Sequence, residues 1–155
     1  MKIIFFGSPP FSAYILEQLH INFNVVAVVC SPDNKKGRGR KIHSPAVKQK
    51  AEELKIEVLQ PENLKEESFV TGLKNLDSDL FIVVAFRMLP EIIWKIPKFG
   101  SVNLHTSLLP NYRGAAPINW VLINGEKQTG ITTFFINEKI DEGNILLQED
   151  IELNS

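Results

Sequence analysis

The polar pair in Asn103-Leu104-His105 ends an apolar run and is the part of the sequence best suited to chemistry. Residues two apart on a strand point to the same face, so a strand over 101–105 would bring Asn103 and His105 side by side. An imidazole titrates at about 6.5 and can relay protons or stabilise developing negative charge. A carboxamide can bind a carbonyl oxygen. The pair therefore predicts acid–base chemistry, although a hydrogen-bonded strand end without chemistry would have the same pattern.

A carboxylate that could act with this pair lies in the loop 137–143. Asp141 could reach the same end of a sheet and orient an imidazole or accept a proton. Gly143 permits a sharp return into the strand that follows. The residues alone favour a solvent-facing acid in a turn, and Glu138 and Glu142 are equal candidates for the same role.

The loop 107–117, Ser-Leu-Leu-Pro-Asn-Tyr-Arg-Gly-Ala-Ala-Pro, has the composition of a shaped wall rather than of a loose connector. Two leucines precede a proline and small residues follow, while Ser107 adds a hydroxyl and Arg113 a fixed cation. Apolar lining with a few polar groups is typical of small-molecule pockets. A packed turn that covers the end of the sheet is the alternative.

The turn after the first apolar run argues against a dinucleotide cofactor. Gly7-Ser8-Pro9-Pro10 contains one glycine, and its two prolines lack the N–H donors that a pyrophosphate needs. Another ligand could still approach Gly7, and a plain strand-to-helix turn is equally compatible. The histidines, His20, His43 and His105, are far apart in the sequence and show no metal-ligand spacing, so no metal is predicted.

Apolar runs and helical segments alternate along all 155 residues, and a chain of roughly 150 residues indicates one domain, 1–155. This alternation favours an α/β fold with a Rossmann-like, mostly parallel sheet and helices on both faces. The last two strands are joined by a loop too short for a crossover helix and are predicted to be antiparallel. Ligands bind beyond the carboxyl ends of the strands in such sheets, so the loops after Phe6, Cys30, Ala85, His105 and Ile136 are where chemistry is expected. The predicted strands are 2–6, 25–30, 56–59, 80–85, 101–105, 131–136 and 145–151, and the predicted helices are 11–19, 46–55, one within 61–76, 90–95 and one opened by Pro117 and closed by Gly125.

Positive charge is concentrated in one segment. Of the 17 basic residues, seven lie between 34 and 50, where there is no acidic residue, and all 18 acidic residues lie elsewhere. A basic island on an acidic body is a candidate contact for a polyanion, and a solvated loop kept soluble by its charges fits equally well. Ser31–Pro45 is predicted to be a long polar loop, and loops of this length are usually functional or disordered.

The sequence carries no signal for a membrane or for secretion. No apolar run approaches the roughly 18 residues of a membrane span, and the apolar stretch at the start is too short for a signal peptide. Cys30 is the single cysteine and cannot form an internal disulfide. A reducing, cytoplasmic setting without a membrane partner is therefore expected.

Taken together, these residues resemble the amino-terminal domain of the methionyl-tRNA formyltransferase family, from Lys2 to about Leu153. Asn103-x-His105, the segment 107–118 and Asp141-x-Gly143 carry the resemblance. The wider group of 10-formyltetrahydrofolate-dependent formyltransferases shares Asn, His and Asp at these places. Arg-Gly-Ala-Ala-Pro-Ile at 113–118 and the run from Pro32-Asp33 through 37–41 to Ser44-Pro45 are similar to the tRNA branch specifically.

The resemblance implies a formyltransferase fold and a role for each set of residues. The catalytic set would be Asn103, His105 and Asp141. The formyl donor, 10-formyltetrahydrofolate, would bind in a pocket lined by Ser107, Leu108, Leu109 and Pro110 and by Phe86, Arg87, Met88 and Leu89. The acceptor, initiator methionyl-tRNA, would be bound through the basic loop 34–50, with contacts from Arg38, Arg40, Lys41, Gly7, Ser8 and Pro9.

This chain also departs from the family pattern in places, and two alternative functions stay open. Many members carry Tyr-Gly where this chain has Phe86-Arg87, and folate contacts there are expected through the backbone. Members also have a carboxyl-terminal barrel domain that helps to hold tRNA, so 1–155 is expected to be a truncated catalytic domain, acting as a monomer in translation initiation. Formyl transfer to a sugar nucleotide or another amine is the alternative within the superfamily. A non-catalytic module that binds folate or RNA is the alternative from another class.

Overall fold

The computed structural model of the protein describes residues 1–36 and 41–153. The strands in this part of the chain are β1 (Lys2–Gly7), β2 (Asn24–Val29), β3 (Asn34–Lys36), β4 (Lys41–His43), β5 (Glu57–Leu59), β6 (Leu80–Val84), β7 (Ser101–His105), β8 (Gln128–Phe135) and β9 (Ile145–Glu152). The helices are α1 (Pro10–Asn22), α2 (Ala46–Glu53), α3 (Glu67–Asn75), α4 (Glu91–Trp94) and α5 (Pro117–Ile123).

Seven of the described strands form one sheet in the order β5-β2-β1-β6-β7-β8-β9. The strands from β5 to β7 run parallel to one another. β8 runs antiparallel to β7, and β9 runs antiparallel to β8. The predicted α/β fold, mostly parallel with an antiparallel pair near the carboxyl end, is therefore confirmed.

Helices cover both faces of the sheet because the central strands are apolar on both sides. On β1, Phe6 lies in one apolar cluster with residues of α3 and α4, whereas Phe5 lies in a second cluster with residues of α1 and α2. Leu104 packs against the second cluster. Since side chains alternate along a strand, Asn103 and His105 face the side that carries α3 and α4.

The segment Ser31–Pro45 contains a hairpin, so the prediction that it is a loop without structure of its own was wrong. Its antiparallel strands β3 and β4 pair Asn34 with His43, Lys35 with Ile42, and Lys36 with Lys41. The hairpin is separate from the main sheet, and its sequence lacks the apolar alternation that marks a half-buried strand. Arg38 and Arg40, predicted to contact tRNA, lie with Gly37 and Gly39 outside the described residues.

The turn from β1 to α1 is tight enough to require glycine. A Cβ at Gly7 would lie 2.8 Å from both Phe5 Cε1 and Ser12 Cβ, and 2.9 Å from the carbonyl oxygen of Val84. The hydroxyl of Ser12 donates to that same carbonyl at 2.6 Å, which fixes the start of α1 against β6. Across residues 1–36 and 41–153, no helix is long and apolar enough to cross a membrane.

Candidate active site

His105 lies buried at the carboxyl end of β7 with contacts to both of its ring nitrogens. Nε2 is 2.8 Å from the backbone oxygen of Tyr112. A carbonyl oxygen only accepts, so Nε2 must carry the proton in this bond. Nδ1 faces Asp141 Oδ2 at 3.8 Å. In the neutral ring the lone pair is therefore on Nδ1, which faces the carboxylate of Asp141.

The loop after β8 brings one of its three acidic residues to this imidazole. Asp141 Oδ2 accepts a 2.8 Å hydrogen bond from the backbone N–H of Gly114, and its side chain is 14% exposed. Glu138 is exposed, and Glu142 pairs instead with Arg113 at 3.4 Å. The residues taken alone left these three acids equal and the family resemblance implied Asp141, which is the one that the structure places beside His105.

The path that brings Asp141 there differs from the one expected from the sequence. Val102 pairs with Phe135 and His105 with Thr132, so the carboxyl end of β8 lies beside the amino end of β7. The loop after β8 therefore starts at the end of the sheet where β7 begins, which is opposite to the end that carries His105. The expectation that this loop starts at the carboxyl ends of the parallel strands was wrong, because it requires β8 to be parallel to β7.

Gly143 allows the loop between β8 and β9 to pass close to the end of β8. A Cβ at this position would lie 1.5 Å from the carbonyl oxygen of Phe135 and 3.1 Å from Phe134 Cδ2. Any side chain would push the loop outward. Asp141 itself has a left-handed φ of 51°, which is costly for a residue with a side chain and persists only where surrounding contacts hold it.

Asn103 shares the face of β7 with His105 and is half-buried. Its neighbour across the ladder is Phe134 on β8. The strand thus holds a carboxamide next to an imidazole on one side and a phenyl ring on the other. This arrangement leaves the carboxamide able to bind a carbonyl oxygen placed over the sheet edge.

The loop Ser107–Pro110 is held by hydrogen bonds to side chains that the sequence did not single out. The hydroxyl of Thr132 donates to the backbone oxygen of Ser107 at 2.7 Å and accepts from the N–H of Leu109 at 3.1 Å. Gln148 Nε2 donates to the backbone oxygen of Leu109 at 2.8 Å. Thr132 and Gln148 were missed because only the strand register reveals that they lie under this loop.

Gly130 explains how the loop comes so near to β8. A Cβ there would lie 2.5 Å from Leu108 Cδ2 and 2.3 Å from the backbone oxygen of Glu149. The isolated glycine in a strand pattern was the available signal in the sequence, because such glycines often mark close approach of another segment. Leu108 therefore packs directly on the sheet, and Pro110 follows a cis peptide bond.

The loop Phe86–Leu89 presents its side chains in different directions. Phe86 packs edge-on against Phe6 with ring centroids 5.7 Å apart, and Leu89 is buried in the same cluster. Arg87 donates to the backbone oxygens of Pro61 and Glu62, and Met88 is exposed. Side chains at both ends of this loop thus pack against the core, Leu89 buried and Phe86 half-buried.

A shallow cleft of about 470 Å³ lies beside this loop. It is lined by Glu62, Asn63, Leu64, Lys65, Arg87, Met88 and Pro90. Neither His105 nor Asp141 borders it, so the structure does not join this cleft to the imidazole and its carboxylate. The part of the chain that is described holds no group of three His, Cys, Asp or Glu side chains that could bind a metal ion.

A network of polar side chains supports the base of the hairpin. Asp33 Oδ2 pairs with Lys48 Nζ at 2.7 Å, and Gln60 Nε2 donates to Asp33 Oδ1 at 2.9 Å. These bonds lower the pKa of the Asp33 carboxyl, the one from Gln60 most and the one from Lys48 next. Ser8, from the turn after β1, joins the network through its hydroxyl, which lies 3.0 Å from the hydroxyl of Ser31.

Two lysines of the basic segment are already neutralised. Lys48 pairs with Asp33, and Lys50 pairs with Glu17 at 3.2 Å and Glu53 at 2.8 Å. Both lie in α2, outside the hairpin. The other basic residues of this segment are Lys35, Lys36, Arg38, Arg40 and Lys41.

Among known proteins, the curated relatives of this chain are named methionyl-tRNA formyltransferase. The chain is 53% identical to the methionyl-tRNA formyltransferase of Flavobacterium johnsoniae and 50% identical to that of Flavobacterium psychrophilum. Each comparison covers 99% of this chain and 49% of the relative, so the chain spans about half the length of the curated relatives it matches.

Solved structures give the same fold. Phosphoribosylglycinamide formyltransferase from Streptococcus pneumoniae TIGR4 superposes with a TM-score of 0.80 at 20% identity, over 99% of this chain and 83% of that one. The protein family described as formyl transferase matches residues 1–155. With the match extending over its whole length, this chain belongs to the formyl transferase family.

Proposed function

We propose that this chain carries the chemistry of an enzyme that transfers a formyl group from 10-formyltetrahydrofolate to the α-amine of initiator methionyl-tRNA. The observation that carries the proposal is the 3.8 Å approach of Asp141 Oδ2 to Nδ1 of a buried His105. The relatives named methionyl-tRNA formyltransferase, at about half identity, support the choice of acceptor.

Formyl transfer needs a site that stabilises an oxyanion and moves one proton. The amine nitrogen bonds to the formyl carbon, the bond from that carbon to the folate nitrogen breaks, and a proton passes from the amine to the folate nitrogen. Protonated His105 and the carboxamide of Asn103 stabilise the negative oxygen of the tetrahedral intermediate. Asp141 lies beside the imidazole and assists the proton transfer.

The hydrogen bonding of His105 decides which ring nitrogen does this work. Nε2 is engaged by the backbone oxygen of Tyr112, so Nδ1 is the nitrogen that gains and loses the proton. The carboxylate of Asp141 lies next to Nδ1 and not next to Nε2. The exchangeable proton of His105 is therefore on the side of the ring that faces Asp141.

The formyl donor is held by the two loops that flank this edge, 86–89 and 107–110. Thr132 and Gln148 keep the second loop in one conformation, and backbone groups of the first loop stay available because Phe86 and Leu89 are packed in the core. A pre-formed wall of this kind suits a planar, largely apolar ligand with a few polar edges.

The acceptor RNA is bound through the basic segment 34–50, with contacts from Arg38, Arg40 and Lys41 and, in the turn after β1, from Gly7, Ser8 and Pro9. Phosphate contacts release counterions, so this binding is expected to weaken steeply as salt is raised. The hydrogen bond network from Ser8 to Ser31 links the turn after β1 to the hairpin, which supports a single acceptor surface.

The test is a formylation assay with His105→Ala in the gene product that contains this chain. We expect transfer to methionyl-tRNA from 10-formyltetrahydrofolate, and a loss of about 100- to 1000-fold in kcat for the variant, as for removal of an oxyanion donor. His20→Ala, at an exposed position of α1, is the matched control and should keep full activity.

Three results would overturn the proposal. Near-normal turnover by His105→Ala would remove the imidazole from the mechanism. Faster transfer to a sugar-nucleotide amine than to methionyl-tRNA would move the enzyme to another branch of the superfamily. Folate or RNA binding without any formyl transfer by the wild-type protein would identify a binding module instead.

A further inference from the structure

A row of three polar side chains crosses the sheet at the level of the proposed catalytic imidazole. His105 on β7 pairs with Thr132 on β8, and Thr132 pairs with Gln148 on β9. Cross-strand partners point to the same face and lie within contact distance of each other. The row therefore runs from the imidazole outward along one face of the three strands.

Thr132 uses the full hydrogen-bonding capacity of its hydroxyl. It donates to the backbone oxygen of Ser107 at 2.7 Å, and it accepts from the N–H of Leu109 at 3.1 Å and from Gln148 Nε2 at 3.0 Å. A hydroxyl offers one donor and two acceptor positions, so none is left. Thr132 and Ser107 are fully buried, where an unpaired polar group is costly.

Gln148 completes the attachment from the outer strand. The same Nε2 that donates to Thr132 also donates to the backbone oxygen of Leu109 at 2.8 Å. Two side chains thus hold three backbone groups of one loop, one at Ser107 and two at Leu109. Neither side chain touches His105 or Asp141 through a hydrogen bond of its own.

The loop that they hold continues to both partners of the proposed catalytic pair. Tyr112, which has a left-handed φ of 57°, accepts from His105 Nε2 through its backbone oxygen. Gly114 donates its N–H to Asp141 Oδ2. A shift of the loop start would therefore move the group that sets the imidazole proton and the group that holds the carboxylate.

We propose that Thr132 and Gln148 are positioning residues for formyl transfer, which hold the loop 107–114 so that its backbone orients His105 and Asp141. This inference rests on the proposed function for its kinetic consequence. Its structural consequence, the proton on Nε2 of His105, is independent of that function.

The test compares two substitutions at Thr132 in the full chain. Thr132→Val keeps the shape but loses all three hydrogen bonds, and misplacement of a reacting group by about 1 Å can cost about 100-fold in rate. We expect kcat to fall by about 10- to 100-fold and the limb of its pH profile that reports the imidazole to move. Thr132→Ser keeps the hydroxyl and should restore both the rate and the pH profile to near wild type.

Gln148→Met and Gln128→Met form a second, matched pair on the same two strands. Gln128 donates to Asp150 at the far end of the ladder and makes no contact with the loop, so its substitution should leave turnover unchanged. Gln148→Met removes the donor to Leu109 and should lower kcat several-fold. This pair also decides the matter if Thr132→Val fails to fold.

Nitrogen-15 NMR of the imidazole separates failure of this inference from failure of the proposed function. We expect wild type and Thr132→Ser to carry the neutral-form proton of His105 on Nε2, and Thr132→Val or Gln148→Met to show a mixture of tautomers. An unchanged tautomer, together with an unchanged pH profile and kcat in Thr132→Val and Gln148→Met, would overturn the positioning role. A wild-type protein with the expected tautomer but without formyl transfer would overturn the proposed function alone.

Discussion

Two loops at the same edge of the sheet are built in contrasting ways. The loop 107–114 is held along its length, with backbone groups of Ser107, Leu109, Tyr112 and Gly114 bonded to buried or half-buried side chains. The hairpin of β3 and β4 is attached at its base, where Asp33 is bonded to Lys48 and Gln60. The first loop is thus bonded at four of its residues, whereas the bonds described for the hairpin lie at its base.

This difference follows from what each proposed task needs. Acid–base chemistry depends on the distance and direction of a few atoms, and a small misplacement has a large effect on rate. Attraction of a polyanion depends on the number of charges and weakens with salt, and it tolerates movement of each side chain. Substitutions that displace the loop 107–114 should therefore change turnover, and substitutions in the hairpin should change mainly RNA affinity.

The largest effect is expected at Asp141. Asp141→Asn keeps the shape of the side chain but removes the charge next to His105 Nδ1, so the protonated imidazole loses its partner. We expect kcat for formyl transfer to fall by about 100-fold or more, within the range for a positioned acid or base. Steady-state kinetics with methionyl-tRNA would measure it. Glu138→Gln, an exposed acid of the same loop, should leave kcat unchanged, and an equal loss in both variants would contradict a special role for Asp141.

A smaller loss is expected when the loop itself is displaced. Gly143→Ala would put a methyl group 1.5 Å from the backbone oxygen of Phe135, so the loop that carries Asp141 has to move outward. We expect a stability loss of about 1–3 kcal/mol, as for overpacked sites, with a fall in kcat of about 10-fold or more. Thermal unfolding and formylation rates would measure the two effects.

Gly72→Ala is the matched control for that substitution. Gly72 lies within α3, and a Cβ there would have nothing within 4 Å. Alanine is favoured over glycine in a helix by about 1 kcal/mol, so this variant should be slightly more stable and fully active. A stable, active Gly143→Ala would show that the loop can supply its carboxylate without the close return over the sheet.

The smallest effect is expected at the base of the hairpin. The hydrogen bond from Gln60 is the largest cause of the lowered pKa of Asp33, so Gln60→Leu should raise that pKa toward its ordinary value of 3.8. A lowered pKa stabilises the folded state above the unfolded-state pKa, and that contribution is lost as pH falls through the folded-state pKa. The network therefore stays intact at neutral pH, and in Gln60→Leu the loss should begin at a higher pH than in wild type.

Carboxyl carbon NMR would follow the titration of Asp33, with the exposed Asp77 as the internal reference. RNA affinity of Gln60→Leu should fall by no more than about fivefold, since exposed polar and ionic contacts are individually weak. Turnover at saturating RNA should not change. A large fall in kcat would contradict the assignment of turnover to the loop 107–114 and of RNA affinity to the hairpin.

The sequence predicted most of the architecture because local residue patterns indicate where its strands and helices lie. Continuous apolar runs such as 80–84 indicated buried parallel strands, and Pro117 marked the start of α5. Two-residue spacing put Asn103 and His105 on one face of β7, since side chains on a strand alternate. The hairpin escaped prediction because a polar ribbon outside the core has no apolar alternation.

What the sequence by itself determined, then, is the strands of the main sheet with their helices, the α/β class and the shared face of Asn103 and His105, all of which depend on short-range periodicity. Only the tertiary structure decided that β8 runs antiparallel to β7, by which path Asp141 returns to His105, and that Thr132 and Gln148 hold the neighbouring loop. These features depend on strand order, direction and register. Such long-range pairings leave no trace in the spacing of residues along the chain, because they arise from contacts between segments that only the folded sheet brings together.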